Sequence, residues 1–159
     1  MKKRYIRTAA TLIYVLFIFS NSMMPAEISS AESGKVLTLA RELLTASGIT
    51  AQWLTEHIIR KMGHFAEYAL LGVMLSGWVQ SLGFAAERRW FIHLTAGYMV
   101  PFLDETIQLS VRGRSGQIWD VWLDCAGVAF GTLLWASMVL NKKRTEKLHD
   151  KKLSDGTGI

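Results

Sequence analysis

Phe102 to Gly131 reads FLDETIQLSVRGRSGQIWDVWLDCAGVAFG, and the fold turns on how this stretch is read. It sets Asp104, Glu105, Gln108, Arg112, Arg114, Asp120 and Asp124 at the junction of two apolar segments, each long enough to cross a bilayer. A charged side chain in hydrocarbon is costly unless it is paired or lines a wet cavity, so such groups are functional candidates by default. Four carboxylates with two arginines beside them mark this junction as the place where the chemistry sits.

Working outward, run length separates a membrane bundle from a soluble domain with an oversized core. A spanning helix needs roughly 20 largely apolar residues. Trp90 to Leu109 and Ile118 to Leu140 meet that need, Ile58 to Leu82 meets it with charges crowded at one end, and Thr8 to Met24 is a shorter fourth run. With 50% hydrophobic residues in 159, the expected fold is an all-α integral membrane protein. It has four transmembrane helices plus an extracytoplasmic interfacial amphipathic helix. That helix is read from Val36, Leu37, Leu39, Ala40, Leu43 and Leu44, which recur at helical spacing. The membrane domain is placed at 1–141, and 142–159 is a basic, then polar, cytoplasmic tail expected to be disordered.

The start, MKKRYIRTAATLIYVLFIFS, has the basic head and short apolar run of a secretory signal, with Ser29-Ser30-Ala31 as a small-residue cleavage site. Ala31 lies far downstream of the run's end, so an uncleaved first helix is expected, with Arg7 reaching toward the head groups. The net charge of +5 does not make a nucleic-acid surface, because the basic residues sit at helix ends and form no stripe with stacking aromatics. The single cysteine, Cys125, excludes an internal disulfide and reads as a small packing residue.

Helical geometry then gathers the polar residues. At about 100° per residue, Arg60, Lys61, His64, Glu67 and Tyr68 share one face at the start of the second span. Asp104, Glu105 and Gln108 share a face at the end of the third. Asp120, Asp124, Gly127 and Gly131 form one stripe on the fourth, and the GxxxG lets a neighbouring helix approach closely. Lysine and arginine prefer cytoplasmic loops. With the N-terminus inside, twelve of the 18 Lys and Arg residues lie on inner segments and six on outer ones. Both termini are therefore expected in the cytoplasm, with every unusual polar residue in the outer half of the bundle.

These residues resemble the VanZ family, small bacterial membrane proteins named for one associated with teicoplanin resistance. The resemblance is carried by Ser22 to Pro25 at the end of the first helix, Lys61, His64 and Tyr68, and Asp104-Glu105-x-x-Gln108. It continues through Gly113-Arg114-Ser115 and Asp120-x-x-x-Asp124-x-x-Gly127-x-x-x-Gly131. The family usually has a proline where Arg112 stands, which favours Arg114 over Arg112 as a functional residue. The resemblance implies a multi-pass protein of the bacterial cell membrane with a role at the envelope in lowering susceptibility to teicoplanin-type glycopeptides.

Three readings of the constellation follow. In the first, Lys61 and Arg114 hold an anionic group, His64 binds or exchanges a proton, and Tyr68 and Gln108 add neutral hydrogen bonds. The ligand would be a membrane lipid bearing phosphate, such as a polyprenyl phosphate or a peptidoglycan precursor. In the second, His64 and Glu67 at i and i+3, with Asp104, Asp120 and Asp124, hold a divalent cation and hydrolyse a lipid phosphate; these five are the catalytic candidates. In the third, the ion pairs only fix helix packing. Inverted repeats and interrupted helices of a transporter are not seen, and a homo-oligomer is left open.

Overall fold

The computed structural model describes residues 1–114 and 116–156, with side chains through His149 in the final helix. Five helices follow one another: α1 (Lys2–Ser22), α2 (Ala26–Ala46), α3 (Glu56–Gln80), α4 (Ala86–Leu109) and α5 (Ile118–Gly156). The described residues contain no strand, so the all-α class holds. Ser115, one position of the loop motif, lies outside the described residues.

Each helix ends where the local chemistry requires it. Proline lacks an N–H and disfavours helix in the residue before it; Pro25 accordingly ends the first run and stands as the N-cap of α2, and the chain turns by 103° between α1 and α2. Thr55 caps α3, its hydroxyl accepting from Ile58 N. Gly113 adopts φ 78° in the α4–α5 turn, a conformation glycine enters without penalty.

α3 is the central element and touches all four other helices, while α2 packs on α3 and, through Ala26 N donating to Arg112 O at 3.4 Å, meets the loop between α4 and α5. The closest approach is between α3 and α5. A Cβ at Gly131 would overlap the Ala69 carbonyl, one at Gly127 would lie 2.7 Å from Phe65 O, and one at Gly72 would overlap the Val128 carbonyl. The GxxxG stripe and Gly72 thus let two backbones meet with no side chain between them. Around this seam Ile18, Tyr68, Leu71, Leu75, Val100 and Val128 form the apolar core.

Pro101 sits inside α4 and cannot donate to Gly97 O, four residues earlier. The Cys125 thiol fills part of that gap from α5, with Sγ 3.9 Å from Gly97 O. The lone cysteine is therefore a weak donor to a carbonyl that proline leaves open, as well as a packing residue.

The exterior is apolar. Leu12, Ile13 and Leu16 of α1, Phe91, Leu94 and Phe102 of α4, and Trp119, Trp122 and Leu133 of α5 all face outward, whereas Asp104, Glu105, Gln108 and Asp124 are buried. Among the described residues, one helix is long and apolar enough by itself to cross a membrane, over Ile118–His149, and α1 with α2 passes only as a bent pair. α3 and α4 have 25 and 24 residues, but their inward-facing histidines and carboxylates lower their mean hydropathy.

In the segment read as a basic tail, α5 continues as helix through Gly156, and residues 157–159 lie outside the described residues. Lys, Arg, Glu and Leu are good helix formers, and Lys142 Nζ lies 3.9 Å from Glu146 Oε1, an i,i+4 pair.

Candidate functional site

The first turns of α3, the last turns of α4, the α4–α5 loop and the first turns of α5 meet at one end of the bundle. They enclose a cavity of about 120 Å³, the liquid volume of roughly four waters at ~30 Å³ each. His57, Arg60, Lys61, His64 and Arg114 line it as bases, with Glu105, Asp120 and Asp124 as acids and Gln108 and Gln117 as neutral donors. Ala26 and Ser29 bring the start of α2 over it.

Asp104 and Asp124 are fully buried. Asp104 Oδ2 accepts from Gln108 Nε2 at 3.0 Å, and Gln108 Nε2 also points at Ser22 Oγ at 3.5 Å. Asp104 Oδ1 and both oxygens of Asp124 have no hydrogen-bond partner. His64 Nδ1 lies 4.0 Å from Asp124 Oδ1, and one donor atom from each of His64, Asp104 and Asp124 falls within 4.8 Å of the others. Tyr68, fully buried one turn along α3, brings its hydroxyl beside Asp104 without completing a hydrogen bond.

The cations have distinct duties. Lys61 Nζ donates to Asp120 Oδ1 at 2.8 Å. Arg60 donates to Glu56 Oε1 at 2.7 Å and to Ser30 Oγ at 2.6 Å, tying α3 to α2. Arg114 reaches back to the end of α1, its Nε donating to Met24 O at 3.0 Å and its Nη2 to Asn21 O at 3.3 Å. Carbonyls at a helix end lack intrahelical donors, so the loop arginine closes the α1 terminus. Burial and the nearby Arg60 charge push the Arg114 guanidinium below its ordinary value, opposed by Asp104, Glu105 and Glu67.

Of the residues singled out in the sequence, Lys61, His64, Gln108, Arg114, Asp120 and Asp124 line the cavity, and Asp104 and Tyr68 lie behind it. Glu67 turns elsewhere. Its Oε1 accepts from Asn21 Nδ2 at 3.0 Å on the α1 side, while Tyr14 donates to its backbone carbonyl. Although Glu67 shares a face of α3 with His64, its carboxylate is taken up by Asn21 where α1 packs, and the donor atoms that gather around His64 are those of Asp104 and Asp124. Sequence reasoning singled out Glu105 without giving it a role, and missed His57. Glu105 is buried and latches the loop, its Oε2 accepting from Gln117 N at 3.0 Å. His57 lines the cavity from the first turn of α3, a place the polar face of that helix, extended one turn, would have reached.

At the opposite end a second cleft of about 330 Å³ is mostly apolar, walled by Trp90, Val79, Trp135 and Leu140. His93 Nε2 and Thr132 Oγ1 meet there at 2.9 Å. Nearby, Arg7 Nη1 donates to Gly77 O at 2.8 Å and Trp78 Nε1 to Thr8 Oγ1 at 2.9 Å. Arg7 thus fastens α1 to α3 where the sequence suggested a contact with head groups.

The protein is thus an apolar-faced helical bundle with a small, densely charged cavity at one end, and the ordered motifs narrow the class further. The chain belongs to the VanZ/LLP1 family, whose model matches residues 8–140. Comparison with curated proteins and with solved structures gives no match.

Proposed function

We propose that this protein is a multi-pass protein of the bacterial cell membrane, with α1, α3, α4 and α5 spanning and α2 lying at the outer surface. The cavity then binds the phosphate of an anionic envelope lipid or peptidoglycan precursor, and this lowers susceptibility to teicoplanin-type glycopeptides. The observation that carries the reading is the inverted distribution of polarity: apolar side chains cover the bundle, and the ionisable groups converge on one end. At 1.5 Å per residue, α3 and α4 are each about 36 Å long, enough for a hydrocarbon layer of about 30 Å.

A cavity of about 120 Å³ admits a head group and leaves a lipid's chains outside, against the exposed face of α4 and α5. Lys61 and Arg60, each about one-third exposed, would exchange their carboxylate partners for the phosphate, while Arg114 stays with the carbonyls of α1. The excess of lysine and arginine on inner segments supports an orientation with both termini in the cytoplasm and the cavity in the outer leaflet, where precursors exposed to glycopeptides reside. Membership in the VanZ/LLP1 family supports the connection to resistance.

The test is native mass spectrometry of the detergent-purified protein beside Lys61→Gln, read together with teicoplanin susceptibility of cells expressing each. Wild type is expected to carry a phosphate-bearing lipid and to raise resistance, and the variant to lose both. A folded wild type with no lipid, or a variant with full resistance, overturns the reading.

A further inference from the structure

We propose that His64, Asp104 and Asp124 bind one divalent cation, held deep in the bundle behind the charged cavity. The inference goes beyond the head-group reading and does not depend on it. Three successive helices, α3, α4 and α5, supply one ligand-type side chain each, and their donor atoms already lie within 4.8 Å of one another. The independent observation is the state of the carboxylates. Asp104 and Asp124 are fully buried, and three of their four oxygens have no partner.

Such oxygens are expensive in an apolar interior without a compensating positive charge. The lysine and arginines that line the cavity are engaged elsewhere: Lys61 with Asp120, Arg60 with Glu56, and Arg114 with the carbonyls of α1. The fourth oxygen, Asp104 Oδ2, accepts from Gln108, the type of outer contact that orients a metal-bound carboxylate. A divalent ion meets the unpartnered oxygens in one step.

The donor set selects the ion. One imidazole nitrogen with two carboxylates suits zinc or manganese better than magnesium or calcium, which prefer oxygen alone. Three protein ligands leave a coordination position open, as in zinc sites that take water or substrate. His64 and Asp124 both line the cavity, so that position faces it. The Tyr68 hydroxyl, buried beside Asp104, is placed to bond a ligating carboxylate or a metal-bound water.

The experiment uses the full chain in detergent, stripped with a chelator and then titrated with Zn²⁺, Mn²⁺ and Mg²⁺. Binding is read by elemental analysis, and thermal unfolding is followed with and without metal. The expected result is one Zn²⁺ or Mn²⁺ per chain and a rise in Tm. Both are lost, with affinity down at least about tenfold, in His64→Ala and Asp124→Asn. Asp124→Asn removes a buried charge and should unfold no earlier than stripped wild type, which separates loss of metal from loss of fold. Lys61→Gln should keep the metal while losing the lipid, so failure of the head-group reading leaves this result intact. A folded wild type that binds no metal overturns the proposal. Equal binding by wild type and both variants does the same by moving the ion to another site.

Discussion

Lys61 Nζ stands 2.8 Å from Asp120 Oδ1, joining the first turns of α3 and α5 across a cavity that both residues line. The pair is about one-third exposed on each side, 36% and 27%, so its strength is closer to that of a surface bridge than of a buried one. Lys61→Gln is expected to cost about 1 kcal/mol or less. The exchange Lys61→Asp with Asp120→Lys should restore that stability in chemical unfolding while failing to restore lipid retention. Recovery of both would make the pair purely structural.

Gly131 faces the Ala69 carbonyl with no room for a methyl group. Gly131→Ala should therefore destabilise the protein by about 3 kcal/mol, the upper part of the range for overpacking. Gly34, on α2, has open space around it, and Gly34→Ala should be neutral or slightly stabilising. Unfolding of both variants in mixed micelles distinguishes these outcomes.

Arg114 grips two carbonyls at the end of α1, at 3.0 and 3.3 Å. Arg114→Gln should weaken the junction by about 2 kcal/mol, in the range for hydrogen bonds from a charged donor. Arg114→Lys should recover only part of this, because an ammonium is a point charge and lacks the planar fork. Faster proteolysis around residues 23–25 in the glutamine variant would report the loosened bend.

The topology is open to direct labelling. In a Cys125→Ala background, Gln52→Cys should react with a membrane-impermeant maleimide on intact cells, and Lys147→Cys should react only after lysis. The reverse pattern would put the cavity on the inner face.

The helices were legible in the sequence because each is announced by a local signal: Pro25 ends the first run, Gly113 makes the last turn, and the long apolar stretches fix the rest. The convergence of Lys61, His64, Asp104 and Asp124 was legible too, since helical periodicity put each on a definite stripe and the loops brought the stripes to one level. The duties of individual side chains were not. Glu67 shares the α3 polar face with His64, and only the packing of α1 decides that it bonds Asn21. Arg114 resembles a free phosphate donor until the 103° turn at Met24 places carbonyls within its reach. Pattern reveals which face a residue occupies, and the neighbouring helix decides what it finds there.

The position of α3 bears on how the chain is assembled. Its charges emerge from the ribosome well before their partners: Lys61 precedes Asp120 by 59 residues, and Glu67 has only Asn21 of α1 to meet it early. On the membrane reading proposed above, α3 would meet the insertion machinery with a lysine and a histidine uncompensated, and α4 would follow with two acids of its own. Neither is apolar enough to commit alone, whereas α5 is. On that same reading, α5 is thus the helix expected to draw α3 and α4 into the bilayer. A chain truncated before Ile118 should be left at the membrane surface for proteases to remove.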